Sequence, residues 1–177
     1  MARFETTTIV RRSPHETLRA LRDGLSEIVT LLDDVTRIET IDRQAQLDGS
    51  VRVVNIWHAG GNVPPMIARV LGANTLAWTD RAEWHADGTG CHFRIEPHFM
   101  KDSIRCEGQT QLEDAVNGRS TRLRFTGEFN LERMPGMARM LGGGIGETVE
   151  RFVADAIAQN LGKLGRALSS AARPGNL

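Results

Sequence analysis

The 177-residue chain contains no tyrosine, so nothing it does can rely on a phenol. It has two cysteines, Cys91 and Cys106, too few and too widely spaced for a disulfide scaffold or a zinc knuckle. Each sits among apolar, strand-like neighbours, where a thiol behaves as a small hydrophobe. Neither sign of charge is in excess, since 22 Lys and Arg balance 22 Asp and Glu. A balanced chain has no broad electrostatic footprint for nucleic acid or an anionic membrane, and no nucleic-acid partner is expected. A formal charge of zero also gives little colloidal repulsion, which leaves a homodimer open. No apolar run approaches the length that spans a bilayer. Residues 1–12 carry Arg3, Glu5, Arg11 and Arg12 where a signal peptide would have its apolar stretch. A cytoplasmic protein without an integral membrane segment is the expectation.

What is present is ordinary globular material, 40% hydrophobic and 25% charged, enough for one domain with a real core. Residues 1–171 read as that domain and 172–177 as a flexible tail. The most informative stretch is 147–168, which reads as one long amphipathic helix. Val149, Phe152, Val153, Ala156, Ile157, Leu161, Leu164 and Leu168 recur at three- and four-residue steps, with Arg151, Asp155, Gln159, Lys163 and Arg166 opposite them. Such an apolar stripe must lie on something apolar. Gly162 and Gly165 interrupt it, at about 1 kcal/mol each relative to Ala. Either a strand passes close to them or the helix end flexes.

Seven strand-like segments precede that helix. The first, at residues 3–11, is rich in Thr and β-branched residues. Ser13-Pro14-His15-Glu16 then forms a capping box with Pro at the first helical position. Two short helices follow, meeting near Asp23-Gly24. Runs at 35–47 and 50–59 are joined at Asp48-Gly49, a hairpin signal. Residues 60–74 break the pattern, with Met66, Ile67, Val70 and Leu71 on one side of a short helical segment. That segment reads either as a lid or as a connector on the sheet edge. Four more strands alternate apolar with charged residues, one turn between them being Asn117-Gly118. Period-two alternation buries one face and wets the other. The wet face mixes Arg with Glu, which suits cross-strand charge pairs.

The order is strand, two short helices, six strands, long helix. Together with the SPHETLRAL entry to the first helix, the LRFTGEFNL strand and the run MLGGGIGETVERFVADAIAQNLGKL, it resembles the START-like (SRPBCC) superfamily, which holds Bet v 1-type allergens and polyketide cyclases. The resemblance implies an α+β helix-grip fold, a seven-stranded curved antiparallel sheet wrapped around the C-terminal helix with two short helices after the first strand. It also implies a hydrophobic ligand under that helix, or cyclisation or dehydration chemistry there. The short turn at residues 47–50 departs from the glycine-rich loop of the plant allergens, so their ligands are not implied.

The one catalytic candidate is Asp80. Alternation puts it with Trp78 and Trp84 on the face that should be concave and apolar, where an unpartnered carboxylate is costly and its pKa rises. It is a general acid or base, a polar anchor for ligand, or a structural residue turned away by a bulge or held in an ion pair. Arg43, Glu39 and Asn55 would also point inward if their strands keep a simple register. The expected ligand-binding set places Trp57, Trp78, Trp84 and Phe93 on the sheet, Phe152 and Ala156 on the helix, and Met66, Val70, Met137 and Met140 around the entrance, where adaptable Met side chains suit variable apolar ligands. The glycine-rich run at 142–146 continues into Glu147-Thr148; it lacks the Gly-Lys-Ser/Thr ending of a phosphate loop and reads as a hinge. His85, His92 and His98 fall on the wet face without metal-ligand spacing, and His15 and His58 have no obvious carboxylate partner in sequence. No cofactor or metal is expected. The function expected is binding or transport of a lipid, quinone or polyketide-like molecule between sheet and helix. The alternatives are a cyclase, aromatase or dehydratase using the same cavity and a partner-binding module using an outer face.

Overall fold

The computed structural model describes residues 1–60, 77–98, 104–131 and 145–170. The elements run β1 (Ala2–Val10), α1 (Pro14–Asp23), α2 (Leu25–Ile28), a 3-10 turn (Val29–Leu31), β2 (Val35–Ala45), β3 (Val51–Ala59), β4 (Ala77–Trp84), β5 (Gly90–Pro97), β6 (Ile104–Asp114), β7 (Thr121–Leu131) and α3 (Ile145–Ser170). The strands form one seven-stranded antiparallel sheet in the order β1-β7-β6-β5-β4-β3-β2. Between the two edge strands, β1 and β2, the chain crosses by way of α1 against β6 and α2 against β2. The long helix α3 lies along β1 and β7. This is the helix-grip arrangement expected from the order of elements.

Local chemistry sets these boundaries. Ser13 and Glu16 form a reciprocal capping box: the Glu16 N–H donates to Ser13 Oγ at 3.2 Å and the Ser13 N–H donates to Glu16 Oε2 at 2.9 Å. Gly24 ends α1 and begins α2. Asn117 and Gly118 sit at φ 41° and 76°, the left-handed pair that a tight hairpin turn requires.

One strand does not keep a simple register. β2 is bulged against β3 between Val35 and Arg37 and again between Thr40 and Asp42. A bulge shifts the alternation by one residue. Arg43 therefore faces inward opposite Val53, whereas Glu39 stands opposite Ile56 and faces outward. The inward placement expected for Glu39 is corrected on that ground; Asn55 and Arg43 do face inward, Arg43 bonding Asp23 of α1 at 3.1 Å. His58 also gains the carboxylate partner that was not evident in sequence, Glu39 Oε2 at 3.2 Å.

The core lies on the inner face of the sheet and takes in residues of all seven strands. Val10, Leu123 and Leu168 are fully buried there, with Phe4, Phe93, Phe125 and Phe129 among them. Gly127 and Gly108 are direct cross-strand partners, flanked by Phe4 and Phe93. A Cβ at Gly127 would lie 2.4 Å from the Phe4 ring and one at Gly108 would lie 2.6 Å from the Phe93 ring. The two rings thus cover bare backbone, stacked with centroids 6.5 Å apart. On α3, Gly165 takes the closest approach: a Cβ there would meet Thr8 Cβ at 2.8 Å. The nearby strand, of the two explanations for the helix glycines, holds at Gly165.

Polar contacts fix α3 at both ends. Glu150 accepts from the Leu131 N–H at 2.9 Å and from the Met1 amino group at 2.6 Å. Burial alone would raise its pKa, but these bonds hold it below the usual carboxylate range. Lys163 pairs with Asp34. Along the outer face, Arg52–Glu83, Arg81–Glu96, Arg3–Glu128 and Arg124–Glu5 join strands at 2.9–3.2 Å, the cross-strand pairs that the alternating charges predict. Among the described residues no helix is long and apolar enough to cross a membrane.

Candidate functional site

One row across the sheet brings a carboxylate, an amide and a hydroxyl together on the inner face. Thr40, Asn55, Asp80, Ile95, Cys106 and Phe129 are successive cross-strand partners on β2, β3, β4, β5, β6 and β7. The Thr40 hydroxyl donates to Asn55 Oδ1 at 2.8 Å. With its oxygen engaged, the Asn55 amide presents its NH2 group to its cross-strand partner Asp80, whose pKa it draws down. Asn55 is 2% exposed and Asp80 is half-buried.

Burial dominates the electrostatics of Asp80 and pushes its pKa up to about 6, against the opposing pull of hydrogen bonding from Asn55 and Trp57. The Trp57 indole N–H is itself buried; it draws the Asp80 pKa down without meeting any acceptor at full hydrogen-bond distance and angle. Trp57 and Trp78, also cross-strand partners, stack at 5.8 Å between centroids and 15° between planes, and both are half-buried. A carboxylate able to change charge near neutrality, an indole N–H short of a full hydrogen bond and a flat apolar wall therefore converge on one end of the inner face.

Of the residues singled out from sequence, Trp57, Trp78 and Asp80 come together here. Trp84 and Phe93 share the face but lie in the closed core, 4% and 9% exposed. Phe152 and Ala156 are on α3, their side chains outside the described set. Met66, Val70, Met137 and Met140, the segment at 60–74 beyond Gly60, and the glycine run up to residue 144 lie outside the described residues. Thr40 escaped sequence reasoning because its inward position depends on the β2 bulge. The thiols of Cys91 and Cys106 are buried, and burial pushes each pKa up to about 12 with the Asp80 charge adding to the effect, so neither supplies a thiolate.

The outer face has its own open concavity of about 1120 Å³, lined by Arg52, Arg81, Glu83, His92, Arg94 and Glu107 among others. Its charges are exposed and several are paired across strands, so it offers an apolar ligand hydration rather than burial. His85 and His92 contact each other at 5.0 Å and His98 bonds Thr79 at 2.9 Å. Among the described residues no three His, Cys, Asp or Glu side chains converge as metal ligands.

Comparison with known proteins places this geometry in a structural class. No protein-family model and no curated protein sequence matches the chain. Solved structures match along nearly its whole length. A protein from Thermus thermophilus aligns with a TM-score of 0.66 at 18% identity, over 97% of this chain and 100% of that one. The Zhui aromatase/cyclase from a Streptomyces species aligns at 0.65 and 15% identity, over 99% of both. A major latex-like protein from Panax ginseng aligns at 0.62 and 8% identity, over 98% of both. At these identities the likeness is one of fold, and the fold is a Bet v 1-like helix grip.

Proposed function

We propose that this protein binds a hydrophobic small molecule, lipid, quinone or polyketide-like, between the inner face of the sheet and α3, within one domain formed by residues 1–171. The observation that carries the reading is the Asp80–Asn55–Thr40 row beside the half-buried Trp57–Trp78 pair. A carboxylate whose burial lifts its pKa to about 6 is an expensive residue to keep on an apolar face unless it meets a partner. A ligand's polar end is that partner, and its apolar body covers the indoles, gaining roughly 25 cal/mol per Å² buried before entropic costs. Native mass spectrometry of gently purified protein tests this. A reproducible apolar adduct is expected. Repeated absence of any adduct, with no response to a panel of lipids and quinones, contradicts it.

A second reading has one specific support. A pKa of about 6 suits a general acid or base near neutral pH, and one structural neighbour is an aromatase/cyclase. On that reading Asp80→Asn abolishes turnover. On the binding reading it leaves affinity within about tenfold, a change of about 1.4 kcal/mol.

A further inference from the structure

The outer face of the sheet carries a charge pattern that cross-strand pairing alone does not explain. Arg81, Arg94, Glu107 and Glu128 are successive partners on β4, β5, β6 and β7. Two arginines thus stand side by side, and so do two glutamates, although like charges directly opposite each other destabilise a sheet. Within the chain these charges are incompletely matched. Arg81 and Arg94 share one carboxylate, that of Glu96, at 3.0 and 3.6 Å. Glu107 makes no ion pair among the described residues. The same division runs through the lining of the outer concavity. Strands β3 to β5 contribute Arg52, Arg81 and Arg94 against Glu83, whereas β6, β7 and β1 contribute Glu107, Glu128 and Glu5 against Arg3. The chain as a whole is neutral. The face is therefore divided in sign rather than charged, and neither a polyanion nor a polycation matches both halves.

We propose that a second copy of this chain docks on this face, about a two-fold axis running along the strands between β5 and β6. That rotation exchanges β5 with β6, β4 with β7 and β3 with β1. It sets Arg94 against the partner's Glu107, Arg81 against the partner's Glu128 and Arg52 against the partner's Glu5, each pair occurring twice by symmetry. Strand directions in the two sheets stay aligned, one of the two ways in which sheets pack face to face. The other two-fold in the plane of the face, across the strands through this row, would set Arg94 on the partner's Arg94 and Glu107 on the partner's Glu107. The charges thus select one orientation. Six strands at about 4.8 Å and six residues at about 3.4 Å give an area of about 600 Å² per copy, at the low end for a specific interface. With charged groups at its centre, the contact is polar, wet and sensitive to salt. It lies on the opposite side of the sheet from Asp80, so the dimer neither needs nor blocks an inner-face ligand.

Sedimentation equilibrium of the whole chain tests the dimer, at low salt and at about 0.5 M NaCl, where the Debye length falls to about 4 Å. A dimer is expected at low salt and should weaken about tenfold or more at the higher salt. Arg94→Glu and Glu107→Arg should each weaken it about tenfold or more, because each sets like charges across the axis twice. An equimolar mixture of the two variants should recover association, since each presents the charge that the other lacks. The double variant Arg94→Glu/Glu107→Arg should recover it as well, and thermal melts check that every variant is folded. A wild type that stays monomeric at low salt up to roughly 0.5 mM overturns the proposal. Association indifferent to both single substitutions overturns it too, as does a loss that neither the mixture nor the double variant restores.

Discussion

Replacing Asp80 with asparagine should make the protein more stable, and the gain should depend on pH. In the folded chain burial raises the Asp80 pKa from 3.8 to about 6. The sign follows from linkage. A carboxyl whose folded pKa lies above its unfolded value binds its proton more tightly when folded. Its contribution is most favourable below pH about 4 and is lost as pH rises through about 6. Two units at 1.36 kcal/mol each set the full loss at about 3 kcal/mol. Between pH 4 and pH 8 the part realised is about 2 kcal/mol. The substituted amide stays neutral throughout, and its side-chain oxygen can still accept from Asn55. Every other titrating group is common to the two proteins and cancels in the difference. Urea unfolding of both proteins at pH 4, 5, 6, 7 and 8 reads it directly. The variant's advantage should be small at pH 4, grow by about 2 kcal/mol with most of the growth between pH 4 and pH 6, and be level by pH 8. A difference flat within about 0.5 kcal/mol over the range would mean that Asp80 is as well solvated as in the unfolded chain, and the electrostatic argument for the site would fall.

The helix glycines give opposite signs. Gly165→Ala drives a Cβ to 2.8 Å from Thr8 and should cost about 1–3 kcal/mol despite better helix propensity. Gly162→Ala meets only Thr6 Oγ1 at 3.4 Å and Arg166 at 3.5 Å and should stabilise by about 0.5–1 kcal/mol in thermal melts. Cys91 and Cys106, with pKa pushed up to about 12 by burial, should resist DTNB at pH 8 until the chain is unfolded; prompt labelling of the native protein would contradict their burial. Ser13→Ala removes the acceptor of the Glu16 N–H and should lower stability by about 1 kcal/mol.

Where the sequence was readable, one local rule sufficed. The Ser13-to-Glu16 box and the Asn117-Gly118 turn are statements about neighbouring residues, and both stand as written in the chain. Asp80 inward beside Trp78 follows from alternation along one regular strand. The unread features are those in which distant residues decide. Nothing in the residues of β2 marks Ile41 as the site of a bulge, yet that bulge sends Glu39 to His58 and brings Thr40 onto the Asn55 amide. Gly108 and Gly127 look like strand weaknesses until the register places them side by side under Phe93 and Phe4. The buried indole N–H of Trp57, short of a full hydrogen bond, belongs to the same class, since no sequence pattern shows which donors lack acceptors.

The most direct test of the inner-face site is the indole Nε1–H spectrum of 15N-labelled protein, recorded as purified and again after extraction of bound apolar material. With three tryptophans the assignment is short. The Trp57 resonance should move when the protein is emptied and return on reloading, while that of core-buried Trp84 stays in place. Three indole resonances unmoved by removal of a ligand that mass spectrometry shows to have been present would put that ligand elsewhere and contradict the account.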